Sequence, residues 1–257
     1  MANSLERWWC VILAGGAAPD EIAQRYGVSS KADVSFGGRT SLERVVEACQ
    51  SLPFGRLVAV VGDEARSEIS GCEVRRAGRT NIESALSGVE GAEDSQPCLF
   101  LPCDLPLLDS SGVQAFVEEV DAWARPREDW FAVGLCPSSA IKEAFPDVPY
   151  RFLRFREGRF ASGGYYAGSA GALRRAAETL GLGSRNRRAI LKLAVRFGVL
   201  PFFRYLLGQV TVAEAAERAG RALGAACLIV TDADPFSTLD FDTLKDVEAI
   251  ERLLSNQ

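Results

Sequence analysis

The chain has 257 residues, of which 47% are hydrophobic and 25% charged, and its formal net charge is −5 at pH 7. This balance is typical of a globular protein with a sizeable core, and the acidic charge argues against a general nucleic-acid-binding protein, which needs a basic field to neutralise phosphates. The chain has no histidine, which excludes Ser-His-Asp and Cys-His nucleophile systems, HExxH zinc proteases and histidine general bases. Catalysis would therefore use Asp, Glu, Lys, Arg or Cys side chains, or a metal with oxygen ligands, and such ligands suit Mg²⁺.

The cysteines and the apolar segments indicate the compartment. No two cysteines form a C-x-x-C pair and their number is odd, so we interpret them as reduced core thiols of a cytoplasmic protein. No segment approaches the roughly 20 apolar residues of a membrane span. The cysteines are Cys10, Cys49, Cys72, Cys98, Cys103, Cys136 and Cys227.

Five apolar runs predict buried strands that alternate with helices. This alternation predicts an α/β fold with a mostly parallel sheet and helices on both faces, in which ligands bind beyond the carboxyl ends of the strands. The predicted strands are Trp8 to Ala14, Leu57 to Gly62, Cys98 to Cys103, Trp130 to Cys136 and Cys227 to Thr231. Helix starts are predicted at Thr40 with Glu43 as a capping box, at Asp109 or Ser110 for a helix through Trp123, and at Thr243 with Asp246.

Two segments depart from this alternation. Residues 150–167 contain short extended pieces and predict a hairpin-like lid or acceptor region. Residues 185–207 are basic and apolar, and they predict two short helices broken at Gly198 and Pro201. These helices would pack on the sheet, cap the acceptor pocket, or contact a partner or the surface of a membrane. We expect one domain over residues 1–257, with residues 185–225 as a helical insertion or cap.

The first strand runs into a glycine pair, Gly15 and Gly16. Glycines at this position allow backbone N–H groups to approach a phosphate or a base closely, although a tight turn alone also explains them. Lys31 follows, and a single lysine of this kind is either solvated or directed at a phosphate.

Three aspartates are candidates for a functional role, and two of them for a metal site. Asp104 stands at the carboxyl end of a predicted strand, and Asp240 and Asp242 alternate in an extended segment near the other end of the chain. Two carboxylates on one face repel each other unless a cation or a cationic side chain lies beside them. A metal site is the simplest interpretation.

The ordered motifs resemble those of the MobA-like NTP transferase family, which includes molybdenum cofactor guanylyltransferase and is related to the sugar-nucleotide pyrophosphorylases. The resemblance spans residues 8–254, and its specificity lies in the order of motifs that are each weak alone. The motifs are L-A-G-G, a lysine, G-G-R-T-S-L-E-R-V, F-L-P-C-D-L-P-L-L and D-F-D-T-L-K-D-V.

The resemblance implies a GT-A-like Rossmannoid fold and a set of site residues. Lys31 would neutralise phosphates, and Asp104 would hold Mg²⁺ with Asp242 or Asp240. The implied nucleotide-binding residues are Leu13, Ala14, Gly15, Gly16, Gly78 and Asn81, and the implied acceptor-binding residues are Gly163 and Gly164.

The sequence also departs from the family pattern. Ala17-Ala18-Pro19-Asp20 replaces the usual glycine-rich loop with an arginine, so only Arg25 could supply that charge. Asp33 and Ser35 stand where the family commonly has apolar residues, and Tyr165 stands where an asparagine is frequent.

The expected function is Mg²⁺-dependent transfer of an NMP from an NTP to a phosphorylated small-molecule acceptor, with release of pyrophosphate. The sequence is also compatible with two alternatives. One is a glycosyltransferase of the same fold that uses a nucleotide-sugar, and the other is a catalytically silent nucleotide-binding or regulatory protein.

Overall fold

A computed structural model describes residues 4–62, 68–180 and 209–255. Eight of the ten strands in these described ranges form one mixed sheet in the order β10-β7-β9-β6-β1-β4-β5, with β8 paired to β9. These strands are β1 Trp9–Ala14, β4 Arg56–Val61, β5 Glu73–Arg76, β6 Pro97–Pro102, β7 Trp130–Pro137, β8 Leu153–Phe155, β9 Gly158–Ser169 and β10 Ala226–Val230. The short strands β2 Ser35–Phe36 and β3 Arg39–Thr40 pair separately.

The described residues contain eight α-helices, which lie between the strands as the alternation predicted. They are α1 Asp20–Tyr26, α2 Ser41–Gln50, α3 Asn81–Gly88, α4 Ser110–Ala124, α5 Ser138–Ala144, α6 Ala170–Leu180, α7 Val212–Leu223 and α8 Leu244–Ser255. The predicted capping box at Thr40 and Glu43 is present, and Asp109 caps α4. Asp246 accepts from the backbone N–H of Thr243 at 2.8 Å at the start of α8.

Helices cover both faces of the sheet, and the alternation of side chains along β1 shows how. Cys10 and Ile12 belong to one apolar cluster with side chains of α2 and α4. Val11, between them, belongs to another cluster with side chains of α3 and the start of α6. Both faces of the central strand are therefore buried, and the expected α/β architecture with helices on both faces of the sheet is confirmed.

The segment predicted as a lid has a larger part in the fold than expected. β8 and β9 form a hairpin, but β9 continues through the sheet, antiparallel to both β6 and β7. The strands β1, β4, β5 and β6 are mutually parallel, as are β7 and β10. The sheet is thus mostly parallel around one antiparallel strand.

Two further expectations concern the cysteines and residues 185–225. All seven cysteines are free thiols, and five of them are buried.

Helix α7 lies within residues 185–225, whereas residues 185–208, with the predicted break at Gly198 and Pro201, lie outside the described residues. The insertion and the single-domain boundary stay predictions. In the described part of the chain, no helix combines the length and apolarity needed to cross a bilayer.

Candidate active site

The candidate site lies where the parallel strands end. Because β1, β4, β5, β6, β7 and β10 all point the same way, the loops that follow them open at one edge of the sheet. These loops carry the predicted residues Gly15, Gly16, Gly78 and Asp104, and the segment with Asp240 and Asp242 follows β10. We refer to this side of the sheet as the carboxyl edge.

The glycine pair connects two loops of the carboxyl edge. A Cβ atom on Gly15 would lie 2.5 Å from the Cβ of Ala77, so glycine is needed for the loop after β1 to pack on the loop after β5. A Cβ on Gly16 would meet no atom within 4 Å. The backbone around Gly16 therefore borders open space, as a ligand-binding loop requires.

The loop of Gly16 also positions Lys31. The Gly16 carbonyl accepts hydrogen bonds from the Lys31 backbone N–H at 3.2 Å and from the Ser30 hydroxyl at 3.0 Å. Ala17 and Ser30 form an antiparallel bridge. Residues 18–29, including α1, therefore loop out, and the lysine returns beside the glycine pair.

Lys31 lies between two carboxylates that are far apart in sequence. Its Nζ donates to Asp104 Oδ2 at 2.7 Å and to Asp242 Oδ1 at 2.6 Å. The side chains of Lys31 and Asp104 are each 14% exposed, whereas that of Asp242 is 74% exposed. Burial alone would lower the pKa of Lys31, but the two carboxylates outweigh it and raise the pKa above its ordinary value. The ammonium is therefore held in its charged form.

A third carboxylate adds to the negative charge. Removal from water, together with the charges of Asp104 and Asp242, raises the pKa of Asp240 to about 6. The ring of Phe241, between the two C-terminal aspartates, lies 5.5 Å from Lys31 Nζ. Among the described residues, Lys31 thus contacts the carboxylates of Asp104 and Asp242, and the charge of Asp240 interacts with all three.

Asp104 is held in place by the backbone of its neighbour Cys103. The Cys103 N–H donates to the carbonyl of Leu13 at 3.1 Å, and the Cys103 carbonyl accepts from the Ser41 hydroxyl at 2.5 Å. Ser41 is fully buried. The sequence reasoning did not assign it a role, although it stands inside the G-G-R-T-S-L-E-R-V motif that could have signalled one.

The carboxylate arrangement fits a magnesium ion in its chemistry. Asp104 and Asp242 both reach one nitrogen, so their nearest oxygens lie no farther apart than two hydrogen bonds end to end. Mg²⁺ is commonly held by one or two carboxylates together with substrate phosphates, and the number of carboxylates in this pair agrees with that pattern. Within the described ranges, no group of three or more His, Cys, Asp or Glu side chains is arranged to hold a metal ion.

The loop with the predicted nucleotide-binding residues Gly78 and Asn81 adjoins the glycine pair through Ala77. The Gly78 N–H donates to the Ser84 hydroxyl at 3.1 Å, and Thr80 caps α3 by accepting from the Glu83 N–H. Gly78 and Asn81 are exposed at the start of this helix. The structure therefore brings both residues to the carboxyl edge, on the side of β5.

The predicted acceptor glycines lie at an irregularity in β9. The register between β7 and β9 shifts between Val133 and Leu135, which places Gly163 and Gly164 at a bulge. Both glycines are buried, Gly163 against Ser237 and Gly164 against Leu105. They allow β9 to approach the neighbouring segments closely, and their part in acceptor binding stays a prediction.

Two departures from the family pattern have different outcomes. Tyr165 is fully buried, its ring stacks on Phe116 with centroids 5.1 Å apart, and its hydroxyl donates to Asp234 at 3.4 Å. Burial and the charge of Asp234 raise the pKa of Tyr165 far above its ordinary value. Tyr165 is therefore a core residue. Arg25 is exposed on α1 and has no hydrogen bond or ion pair with the described residues, so its nucleotide contact stays a prediction.

Comparison with known proteins agrees with the family resemblance of the sequence motifs. The profile of the MobA-like NTP transferase domain matches residues 10–192. A hypothetical transferase from Thermus thermophilus is 25% identical with a TM-score of 0.75, covering 93% of this chain and 98% of the other.

Two more distant structures share the fold. A nucleotidyl transferase from Methanothermobacter thermautotroptrophicus is 17% identical with a TM-score of 0.58, covering 97% and 99% of the two chains. A CMP:2-keto-3-deoxy-manno-octonic acid synthetase complexed with CTP is 15% identical with a TM-score of 0.60, covering 97% and 98%. No curated protein matches the sequence.

Proposed function

Because the chain belongs to the MobA-like NTP transferase family, we propose that it transfers an NMP from an NTP to a phosphorylated acceptor and releases pyrophosphate. The observation that carries this proposal is the position of Lys31 Nζ between Asp104 and Asp242, beside the glycine loop. Phosphate transfer needs positioning and charge neutralisation more than it needs a protein nucleophile. The carboxyl edge of the sheet supplies groups for positioning and for charge neutralisation.

The proposed reaction is one displacement at phosphorus. An oxygen of the acceptor phosphate forms a bond to the α-phosphorus of the NTP, and the bond from that phosphorus to the oxygen bridging to the β-phosphate breaks. Pyrophosphate leaves with the electron pair of the broken bond. No covalent enzyme intermediate is needed, in keeping with the absence of histidine from the chain.

The chain's own residues bind and orient the reactants. The open backbone around Gly16 accommodates the phosphates, and the exposed loop of Gly78 and Asn81 accommodates the base. Lys31, held on the Gly16 carbonyl, neutralises phosphate charge once the nucleotide competes with the carboxylates for its ammonium. A bound Mg²⁺, held by Asp104 with Asp242 or Asp240, would neutralise further charge on the phosphates.

The experiment that tests the proposal is a substrate screen. Each of the four NTPs is incubated with Mg²⁺ and a library of phosphorylated metabolites, and pyrophosphate release is measured. We expect release that depends on both an NTP and one acceptor class, and that Asp104→Asn reduces by about 10²- to 10³-fold. Glu118→Gln, at an exposed carboxylate of α4, is the matched control.

The same screen separates the two alternatives. A glycosyltransferase would release a nucleoside diphosphate from a nucleotide-sugar and no pyrophosphate. A silent nucleotide-binding protein would bind an NTP without turnover with any acceptor. Either result would refute the proposed transfer.

A further inference from the structure

A cationic hairpin extends from the sheet on an otherwise acidic protein. The hairpin of β8 and β9, with the residues just before it, carries four exposed arginines, Arg151, Arg154, Arg156 and Arg159, in a chain with a net charge of −5. The acidic residue among them, Glu157, accepts from the backbone N–H of Val212 at 3.0 and 3.1 Å. Its carboxylate is therefore engaged by the start of α7.

Two of these arginines face each other. Arg154 on β8 and Arg159 on β9 are directly opposite in the register of the hairpin. Like charges at opposite cross-strand positions destabilise a sheet. Neither guanidinium has a hydrogen bond or ion pair with the described part of the chain. The pair thus concentrates positive charge that the described protein leaves unneutralised.

The hairpin holds this pair in a defined place. Leu153 and Phe160 form the adjacent cross-strand pair and so project to the opposite face, where the ring of Phe155 lies 6.0 Å from that of Phe160. The Arg156 backbone N–H donates to the Val210 carbonyl at 3.0 Å. Because apolar contacts and hydrogen bonds fix the hairpin, little ordering is needed before the arginines bind an anion.

The position of the pair relates it to the carboxyl edge. Gly164 packs against Leu105, the neighbour of Asp104, and Arg159 lies five residues before Gly164 along β9. At about 3.3 Å per residue, the backbone of Arg159 is at most about 17 Å from that contact, because the bulge at Gly163 and Gly164 shortens the strand. A long arginine side chain shortens this distance. One ligand with a length of about 10 to 17 Å could therefore reach both the arginine pair and the region of Asp104.

We propose that Arg154 and Arg159 bind a second anionic group, of the phosphate class, on the acceptor. This inference rests on the proposed function and narrows its acceptor to molecules with two such groups about 10 to 17 Å apart. A phosphate between two guanidinium groups accepts several charge-assisted hydrogen bonds, which are the strong ones. The phosphate that attacks the NTP would lie at Asp104, and the second group would bind at the hairpin.

An anionic lipid surface is the competing ligand, and the aromatic residues argue against it. Tyr150, Phe152 and Phe155 all contact other aromatic rings. Among the described residues, Tyr166 is the exposed large hydrophobic side chain, and it lies on the part of β9 that pairs within the sheet. The hairpin therefore presents charge without the exposed aromatic residues that anchor proteins at a membrane interface.

The direct test is a titration of the full chain with inorganic phosphate, without NTP, followed by NMR of ¹⁵N-labelled arginine side chains. We expect saturable shifts of the Arg154 and Arg159 Nε–H signals. In Arg154→Gln, the remaining Arg159 signal should need about tenfold more phosphate, since a charged hydrogen-bonding partner is lost. Signals that move no more than that of Arg221, an exposed arginine paired with Glu217 on α7, would overturn the inference.

Turnover and vesicle measurements separate this inference from the proposed function. With the acceptor found in the screen, the Arg154→Gln/Arg159→Gln double variant should raise the KM for the acceptor at least tenfold and leave the KM for the NTP unchanged, while Arg221→Gln changes neither. Pyrophosphate release with an unchanged acceptor KM would refute the hairpin site alone. No release with any acceptor would refute the proposed function, whatever the arginine signals do. Co-sedimentation with 70:30 phosphatidylcholine:phosphatidylglycerol vesicles that the double variant abolishes would assign the hairpin to lipid instead.

Discussion

Lys31 is the residue on which the charge balance of the candidate site depends. Among the described residues, its ammonium contacts Asp104 and Asp242 and interacts electrostatically with Asp240, so these four ionised groups carry an excess of negative charge. A divalent cation would neutralise that excess. Lys31 and a cation would also compete for the same carboxylate oxygens, because Nζ already occupies one oxygen of each partner.

Replacing Lys31 should separate catalysis from cation binding. Lys31→Met should reduce pyrophosphate release by about 10²-fold or more, because a preorganised positive charge at the phosphates is lost. The same variant should bind Mn²⁺ more tightly than the wild type in the absence of nucleotide, measured by electron paramagnetic resonance. The control is Lys142→Met, at an exposed lysine of α5. Weaker Mn²⁺ binding by Lys31→Met would show that the ammonium does not compete with the cation.

At the scale of elements, the loops after β1 and β5 are packed against each other. The loop after β1 packs on the loop after β5 through Gly15 and Ala77, and it holds Lys31 through the Gly16 carbonyl. The two glycines therefore serve different purposes, since one provides a close contact and the other borders open space.

This difference predicts opposite results for two neighbouring substitutions. Gly15→Ala should lower the free energy of unfolding by about 1 to 3 kcal/mol, because its methyl group overlaps Ala77. Gly16→Ala should leave stability within about 0.5 kcal/mol but raise the KM for the NTP, because its methyl group enters the open space beside the loop. Urea unfolding and initial rates measure both. Equal loss of stability in the two variants would contradict the assigned packing.

The elements differ in how far sequence alone predicts them. Strand β1 and the capped helices α2 and α4 have strong local patterns, and the structure places them close to the predicted bounds. Strand β9 was missed as a central strand, because its Gly, Ala and Ser residues give no clear alternation and its partners lie far away in sequence. Strand β5 was also missed, since Glu73–Arg76 is short and largely charged.

Local sequence patterns are also limited in what they predict about the candidate site. Gly15, Lys31 and Asp104 could be found because each follows a recognisable strand or motif. The rule that two aspartates need a cation beside them favoured a metal, and the structure shows Lys31 there. Nothing local in the sequence joins positions 31 and 242, because their contact depends on how distant segments fold together. The hairpin arginine pair depends on strand register, which local composition does not determine.

At the scale of the whole molecule, the carboxyl edge of the sheet differs from the opposite edge, where β1 begins. The carboxyl edge carries the candidate site, whereas the start of β1 is secured by Asp121, a buried carboxylate of α4. Asp121 accepts from Trp8 Nε1 at 2.8 Å, from Arg7 Nε at 2.8 Å and from Arg125 Nη2 at 2.8 Å. Burial acts to raise the pKa of Asp121, but these hydrogen bonds outweigh it and hold the pKa below its usual range.

Asp121→Asn should therefore lower stability without impairing catalysis. We expect a loss of about 2 to 3 kcal/mol in urea unfolding at pH 7, since a buried acceptor of three charged or N–H donors is weakened, and an unchanged kcat. The stabilisation from the lowered pKa is present above the unfolded-state value of about 3.9 and is lost as the pH falls through the folded-state value. The wild type and the variant should therefore converge in stability at acid pH. A difference that persists there would show that Asp121 does not act through its charge.

The most direct test of nucleotidyl transfer at the carboxyl edge is ³¹P NMR of the reaction with the NTP and acceptor that the screen selects. We predict new diphosphate signals of the joined product that grow in a 1:1 ratio with pyrophosphate in the wild type and are absent over the same time in Asp104→Asn. Pyrophosphate without a joined product, or full product formation by Asp104→Asn, would contradict the proposed transfer.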